Sequence, residues 1–416
     1  LIAGLRQSRM RWPRLSPTLS GMEAPRTPAP AGPLAGIRVL DLSRLLPGPY
    51  CSLLLAQLGA EVIKVETPLA GDYARMAPPE LGFGGVFEAL NRGKRSVAID
   101  YRKPAGRELV LRLAAAADIF IESSRPGRLE RCGLGAVSLR GFNPALVYCS
   151  ISGYGQAGPH RDAPGHDIDY LAVSGVLSLL GAAGAPPVPA GLQLADIAAG
   201  TFAAARILAA LVRRLTTGQG CYLDVAAIDG PVSWLGTLGD SVARSPAETG
   251  PMRGAYPCYA TYQAADDRYL AVGALEVPFW RAFCAGLGRD ELLSRQFDPQ
   301  AIAVVAEVIG SRPSDAWLER FEPDACVALV RTPAEALADP YVARRGYGPA
   351  PETPAPRLGA DTEAVLAEAG LGPSEVSRLA RKGVVAAAQS DARASRAARL
   401  GAMLARRSQP EARRTA

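Results

Sequence analysis

Histidine and cysteine, the common protein ligands of zinc, are scarce or scattered in this chain of 416 residues. The only two histidines, His160 and His166, lie six residues apart, and the seven cysteines form no C-x-x-C pair. We therefore expect no metal site and no disulfide framework. Unpaired, scattered cysteines are typical of a reducing compartment, so the sequence favours a cytoplasmic protein.

Long apolar runs and an overall basic surface are also missing. No continuous apolar stretch approaches the roughly 20 residues needed to cross a bilayer, so we expect no membrane partner. The net charge of +6 comes from arginines near the two ends of the chain, and the remaining body is close to neutral. We therefore expect no nucleic-acid partner.

The two ends also differ from the body in composition. Residues 1–33 are rich in Arg, Pro, Ser and Ala without helical or strand periodicity, and residues 386–416 are rich in Ala and Arg. Both segments are predicted to be disordered. For the N-terminal one, an organelle transit peptide is the alternative to a simple extension.

Between these ends, residues 34–227 alternate between strand and helix patterns. Strands are predicted at 37–42, 61–65, 95–99, 118–122, 145–150 and 221–225, with helices between them. This order is typical of an α/β domain with a parallel sheet. The first strand–helix turn, at 43–48, lacks G-x-G-x-x-G, which excludes the usual nicotinamide dinucleotide fingerprint.

The second half of the body predicts a smaller domain. A connecting segment at 228–255 leads to a hairpin at 259–262 and 268–272, and helical patterns follow. We assign 256–348 to a small α+β domain. Residues 349–385 are predicted to form a proline-rich linker and two terminal helices that return to the large domain.

The stretch GHDIDY at 165–170 is the strongest candidate for chemistry. It joins a Gly/Pro-rich loop to an apolar helical run. We expect Asp167 to cap that helix, whose free N–H groups favour an anion, while His166 supplies a base near neutral pH. The alternative is an ordinary loop histidine. Asp196 precedes the helix predicted at 197–215 and reads as its N-cap, with or without a chemical role.

Several motifs together resemble the family III CoA-transferases, which include CoA-transferases and alpha-methylacyl-CoA racemase. They are GIRVLDL at 36–42, LGAEVIKVE at 58–66, NRGKRS at 91–96, RPG at 125–127 with GLG at 133–135, and GYGQ at 153–156. The 165–170 stretch, Asp196 thirty residues after His166, and GALE at 273–276 are similar to the racemase branch in particular.

This resemblance implies a Rossmann-like large domain, an interlocked homodimer with active sites between chains, an acyl-CoA thioester substrate and no cofactor. It implies that His166 and Asp196 are the catalytic pair and that Glu276 supports His166. Contacts with the CoA phosphates or adenosine are implied for four cations, for which plain surface charge is the alternative: Lys64, Arg102, Arg125 and Arg131. Gly165, Asp167 and Tyr170 would wrap the pantetheine and thioester, and the Asp167 backbone N–H would face the enolate oxygen.

Three functions are compatible with this pattern. Racemisation of a 2-methylacyl-CoA thioester uses a base and an acid on opposite faces of one carbon. CoA transfer would instead use Asp196 as the nucleophile, through an anhydride and an aspartyl-CoA thioester, and has no need of His166. A non-catalytic CoA-thioester-binding protein is the third. The segment 232–238 lacks the methionines of the racemases, which leaves the acyl chain open.

Overall fold

The computed structural model describes residues 32–76, 85–182, 185–243, 250–346 and 353–386. Ten strands lie within these ranges and form two sheets. They are β1 (Arg38–Asp41), β2 (Glu61–Glu66), β3 (Arg95–Ile99), β4 (Ile119–Glu122), β5 (Val147–Ser152), β6 (Tyr222–Ala226), β7 (Tyr259–Gln263), β8 (Tyr269–Gly273), β9 (Val327–Leu329) and β10 (Val385–Ala386).

The large sheet has the strand order β10-β3-β2-β1-β4-β5-β6. Strands β1 to β6 pair in parallel, and β10 adds to β3 in the antiparallel direction. The order 3-2-1-4-5-6 is that of the Rossmann fold, whose ligands bind where the order reverses, here between β1 and β4. The predicted fold class, an α/β Rossmann-like domain with a smaller α+β domain, is confirmed.

Helices cover both faces of the large sheet, so its strands are buried and mostly apolar. The helices of this domain are α1 (Pro47–Gln57), α2 (Val86–Asn91), α3 (Pro104–Ala115), α4 (Arg128–Arg131), α5 (Ala136–Phe142), α6 (Asp167–Ser174), α7 (Leu194–Thr217) and α8 (Asp229–Leu235). Proline in the first turn of α1 and α3 fixes their starts, and Gly218 ends α7 with a φ of 67°.

The long helix α7 contributes many buried residues to the core of this domain. Its inner face is small and buried, from Ala195 to Ala204, and Gly200 lets α1 approach so closely that a Cβ there would lie 2.6 Å from the Pro47 carbonyl oxygen. With 24 residues, α7 is long and apolar enough to cross a membrane by length and composition. Half of that stretch is buried inside the protein, which is typical of a core helix.

The small domain is built on the antiparallel sheet β7-β8-β9. Its helices are α9 (Val277–Leu287), α10 (Ala301–Ile309), α11 (Ser314–Arg320), α12 (Pro333–Ala338) and α13 (Pro340–Arg344). Trp280 and Trp317 anchor its core, and their indole N–H groups donate to backbone carbonyls of Leu292 and Ile309 at 3.1 and 2.8 Å. Burying an indole requires such a partner.

The last described segment returns to the large sheet. Helices α14 (Thr362–Glu368) and α15 (Pro373–Arg381) precede β10, which pairs with β3. Arg95 of β3 also forms a 2.7 Å ion pair with Glu368. The predicted disordered ends, 1–33 and 386–416, lie almost wholly outside the described residues.

Candidate active site

The loop that carries His166 is held by an aromatic side chain below it. Tyr170 is buried on α6, and its hydroxyl donates to the Gly165 carbonyl oxygen at 2.6 Å. The ring fills the space beside two glycines, because a Cβ at Gly153 or at Gly165 would lie 2.7 Å from its Cε1 atom. Tyr154 packs edge-on against the ring at 5.1 Å. Tyr170 therefore shapes the loop from inside the protein.

His166 is the residue on which α6 begins. Its backbone is extended, with φ −123° and ψ 176°, and its N–H donates to the Asp169 carboxylate at 2.9 Å. This bond fixes the backbone where the imidazole leaves the chain, while the residue itself is exposed. The next N–H, that of Asp167, has no acceptor in the described part of the chain. It remains free to face a developing oxyanion.

We had expected the Asp167 side chain to cap its own helix, but it does not. Its Oδ1 atom accepts the backbone N–H groups of Ala195 at 2.7 Å and Asp196 at 3.0 Å, in the first turn of α7. The helix starts of α6 and α7 are thereby joined through one carboxylate. This contact brings the backbones of His166 and Asp196 into the same small region of the structure.

Asp196 is the third residue of α7, so the prediction that it is the N-cap was wrong; Gln193 holds that position. The helix starts three residues earlier than predicted because Asp167 satisfies its first N–H groups from another segment. Burial, and then the negative charge of Asp167, raise the pKa of the Asp196 carboxyl to about 7. A carboxyl group with such a pKa can both donate and accept a proton near neutral pH.

Glu276 lies in the small domain, just before α9. It is exposed, and its carboxylate makes no hydrogen bond or ion pair with any described residue. The expected support of His166 by Glu276 is therefore not formed within one chain.

Lys64 must be removed from the predicted CoA-binding residues. It is 0 % exposed, forms an ion pair with Asp72 at 2.9 Å and donates to the Ser43 carbonyl oxygen at 3.0 Å. Asp41, also 0 % exposed, lies beside it and beside Lys94. An ammonium enclosed by two carboxylates cannot reach a phosphate without breaking this buried pair.

The three predicted arginines lie at the carboxyl edge of the sheet. Arg102 follows β3 and is paired with Asp100 at 2.8 Å, whereas Arg125 follows β4 and Arg131 ends α4. Strands β3 and β4 are three places apart in the sheet, about 14 Å at the usual strand spacing. Arg125 and Arg131 thus lie well apart from Arg102 along this edge.

Two further polar residues at this edge were missed from the sequence. The Arg44 N–H donates to the Ser123 hydroxyl at 2.9 Å, which joins the loops after β1 and β4, and its guanidinium lies 5.1 Å over the Tyr73 ring. Glu122 ends β4, and burial raises its pKa to about 7. These residues lie where the strand order reverses, between β1 and β4, and this position is known only from the strand order.

No group of three or more His, Cys, Asp or Glu side chains within the described ranges is arranged to hold a metal ion. The functional groups at the candidate site are therefore an imidazole, two neighbouring carboxyls and free helix N–H groups. This set can move protons and stabilise an anion.

The comparisons with known proteins agree with this architecture. The family model of CoA-transferase family III matches residues 34–378. Alpha-methylacyl-CoA racemase of Homo sapiens is 34% identical over 378 residues, which cover 83% of this chain and 96% of the relative. Succinyl-CoA:glutarate CoA-transferase of Homo sapiens is 33% identical over 304 residues, or 70% of this chain and 69% of the relative.

A solved structure extends the likeness to the fold. A CAIB/BAIF family protein from Brucella suis superposes with a TM-score of 0.70 at 29% identity, covering 81% of this chain and 99% of that one. The matches include both racemases and transferases, so they establish the family and not one reaction. This chain belongs to CoA-transferase family III.

Proposed function

We propose that this enzyme interconverts the two C2 epimers of a 2-methylacyl-CoA thioester. The observation that carries the proposal is the contact between the starts of α6 and α7. Asp167, which follows His166 directly, accepts the backbone N–H groups of Ala195 and Asp196. Pairing an imidazole with a carboxyl group of raised pKa suits a reaction that runs in both directions.

In the proposed reaction one side chain removes the C2 proton and the other returns one from the opposite face. The C2–H bond breaks toward the His166 imidazole, and its electron pair forms the enolate, with the charge on the thioester oxygen. The Asp167 N–H stabilises that oxygen. Asp196 in its acid form then gives its proton to C2, and the roles reverse for the other epimer. Because only protons move, the reaction requires no metal or redox cofactor.

The proposal extends to a homodimer. Glu276 is exposed and unpaired within the described part of the chain, and it lies in the small domain just before α9. A second copy whose small domain closes the site would bring this carboxylate to the imidazole, where it could orient the ring. Mixed dimers of His166→Ala and Glu276→Gln chains should then regain activity that neither variant has alone.

CoA transfer between carboxylic acids is the second candidate, favoured by the relatives that are named transferases. Asp196 would attack the thioester carbonyl and CoA would leave as thiolate, which gives a mixed anhydride. The CoA thiolate would attack the Asp196 carbonyl of that anhydride, releasing the donor carboxylate and forming an aspartyl-CoA thioester. The acceptor carboxylate would displace CoA from Asp196 to form a second anhydride, and CoA would then take the acceptor acyl group and free the Asp196 carboxylate. The raised pKa of Asp196 lowers the fraction of nucleophilic carboxylate near neutral pH, which disfavours this reaction. CoA transfer also does not use the His166 imidazole.

Deuterium exchange separates the two. In D2O, with a 2-methylacyl-CoA and no carboxylic acid acceptor, the enzyme should introduce deuterium at C2, as measured by mass spectrometry or proton NMR. Exchange that requires an acceptor acid, or CoA transfer without exchange, would favour the transferase. The His166→Ala variant is the matched control, because it should lose racemisation but retain any CoA transfer.

A further inference from the structure

The Asp167 carboxylate occupies an unusual position between two helices. It is at the first position of α6, yet both hydrogen bonds of its Oδ1 atom go to α7, 28 and 29 residues later. A side chain that caps a helix normally belongs to the residue just before that helix. Gln193, which has that place before α7, makes no side-chain cap bond.

We propose that Asp167 is a positioning residue that fastens the first turn of α7 to the start of α6 and so sets Asp196 against His166. This inference adds a role for the Asp167 side chain to the proposed racemisation, in which only its backbone N–H was used. Two residues of one helix start, His166 and Asp167, would then control both partners of the proton transfer.

The same carboxylate also acts on Asp196 through its charge. The pKa of Asp196 is raised first by burial and then by Asp167, whose own pKa is raised by burial and lowered by the N–H groups that it accepts. Tyr170 of α6 is a further titratable group that interacts with Asp196. The packed helix α1 carries no charged residue, and Asp229 of α8 is paired with Arg206, far along α7.

Two substitutions separate the hydrogen bonds from the charge. Asp167→Asn retains an oxygen that can accept both N–H groups but removes the charge, whereas Asp167→Ala removes both. Asp162→Asn is the matched control, because it deletes an exposed carboxylate of the same loop that is paired with Arg161. The ionisation of Asp196 can be followed by carbon NMR of protein labelled at the aspartate carboxyl carbons, with Asp196→Asn to assign the signal.

We expect the titration midpoint of Asp196 to fall by about one pH unit in Asp167→Asn and to stay unchanged in Asp162→Asn. The limb of the pH–rate profile of C2 exchange that reports Asp196 should move to lower pH in parallel. The maximal exchange rate should fall less in Asp167→Asn than in Asp167→Ala, which should lose at least about tenfold because the first turn of α7 loses its acceptor.

An unchanged Asp196 midpoint in Asp167→Asn, or full activity of Asp167→Ala, would overturn the proposal. The NMR titration needs no turnover. If the unmodified enzyme exchanges no C2 proton, the proposed reaction fails, but the midpoints still decide whether Asp167 acts on Asp196.

Discussion

Two clusters of ionisable side chains lie at the carboxyl edge of the same sheet and differ in how their charges are balanced. Around β1 and β2, Asp41, Lys64, Asp72 and Lys94 are wholly buried or nearly so and form ion pairs with one another. Around the starts of α6 and α7, three aspartates, 167, 169 and 196, have no cationic partner among the described residues. One cluster is closed and neutral, whereas the other is open and acidic.

Asp41 of the closed cluster and Asp196 of the open cluster have pKa shifts of opposite sign. Burial alone would raise the pKa of Asp41, but the charges of Lys64 and Lys94 outweigh it, so that the pKa is lowered. At Asp196 burial acts in the same direction as the neighbouring charge of Asp167, and the pKa rises to about 7. Removing one partner of a buried ion pair destabilises the fold, whereas an unpaired buried carboxyl group keeps a proton available for chemistry.

The largest effect on stability should follow from breaking the closed cluster. Lys64→Met leaves Asp72 and Asp41 buried without their shared cation, and should lower the free energy of unfolding by about 3–5 kcal/mol in urea titrations. Arg102→Met, which removes an exposed guanidinium from its pair with the mostly buried Asp100, should cost less, about 1 kcal/mol. Equal stability of the two variants, with weaker CoA binding by Lys64→Met, would restore Lys64 to the binding site.

A smaller loss is expected at the loop of the open cluster. In Gly165→Ala the new Cβ would lie 2.7 Å from the Tyr170 ring, so the loop must shift and take His166 with it. We expect about 1–3 kcal/mol of destabilisation and a lower exchange rate. Gly191→Ala is the control, because Gly191 has open space around its Cβ position. Similar behaviour of the two variants would contradict the tight packing of Tyr170.

The smallest effect is the pH dependence of stability, and its sign should differ between the clusters. The folded-state pKa of Asp196 lies above the unfolded value, so its ionisation destabilises the fold as the pH rises from about 4 through about 7. Asp196→Asn should match the unmodified protein near pH 4 and be more stable by about 1–2 kcal/mol above pH 7, after allowance for solvent screening.

The corresponding variant of the closed cluster should behave in the opposite way. The folded-state pKa of Asp41 is lowered, so its carboxylate contributes stability above its unfolded pKa that is lost as the pH falls through the lowered value. Asp41→Asn should therefore be less stable than the unmodified protein at neutral pH. Thermal unfolding from below pH 4 up to pH 8 measures both variants, and the same sign for the two would contradict the comparison.

The sequence predicts the sheet well because its strands are short apolar runs bounded by turn residues. Strand β3 was predicted at its observed bounds, and β2 and β4 to within one residue. The antiparallel strands β9 and β10 were missed. They are three and two residues long and are defined by the strand beside which they lie rather than by a pattern of their own.

The candidate site was less accessible to prediction from the residues alone. Nothing in local spacing places Asp167 on the amides of a helix 28 residues later, so the expected cap was assigned to the wrong helix. Lys64 illustrates a different difficulty. A lysine within an apolar strand suggests a surface charge, whereas a central strand of a parallel sheet is covered on both faces and buries nearly all of its side chains.

The central claim is that His166 and Asp196 act on opposite faces of one carbon, and proton exchange by single-base variants tests it most directly. With each pure C2 epimer in D2O, His166→Ala should exchange the C2 proton of one epimer without racemising it, and Asp196→Asn should do so only for the other. Loss of exchange from both epimers in Asp196→Asn, together with full activity of His166→Ala, would contradict the claim.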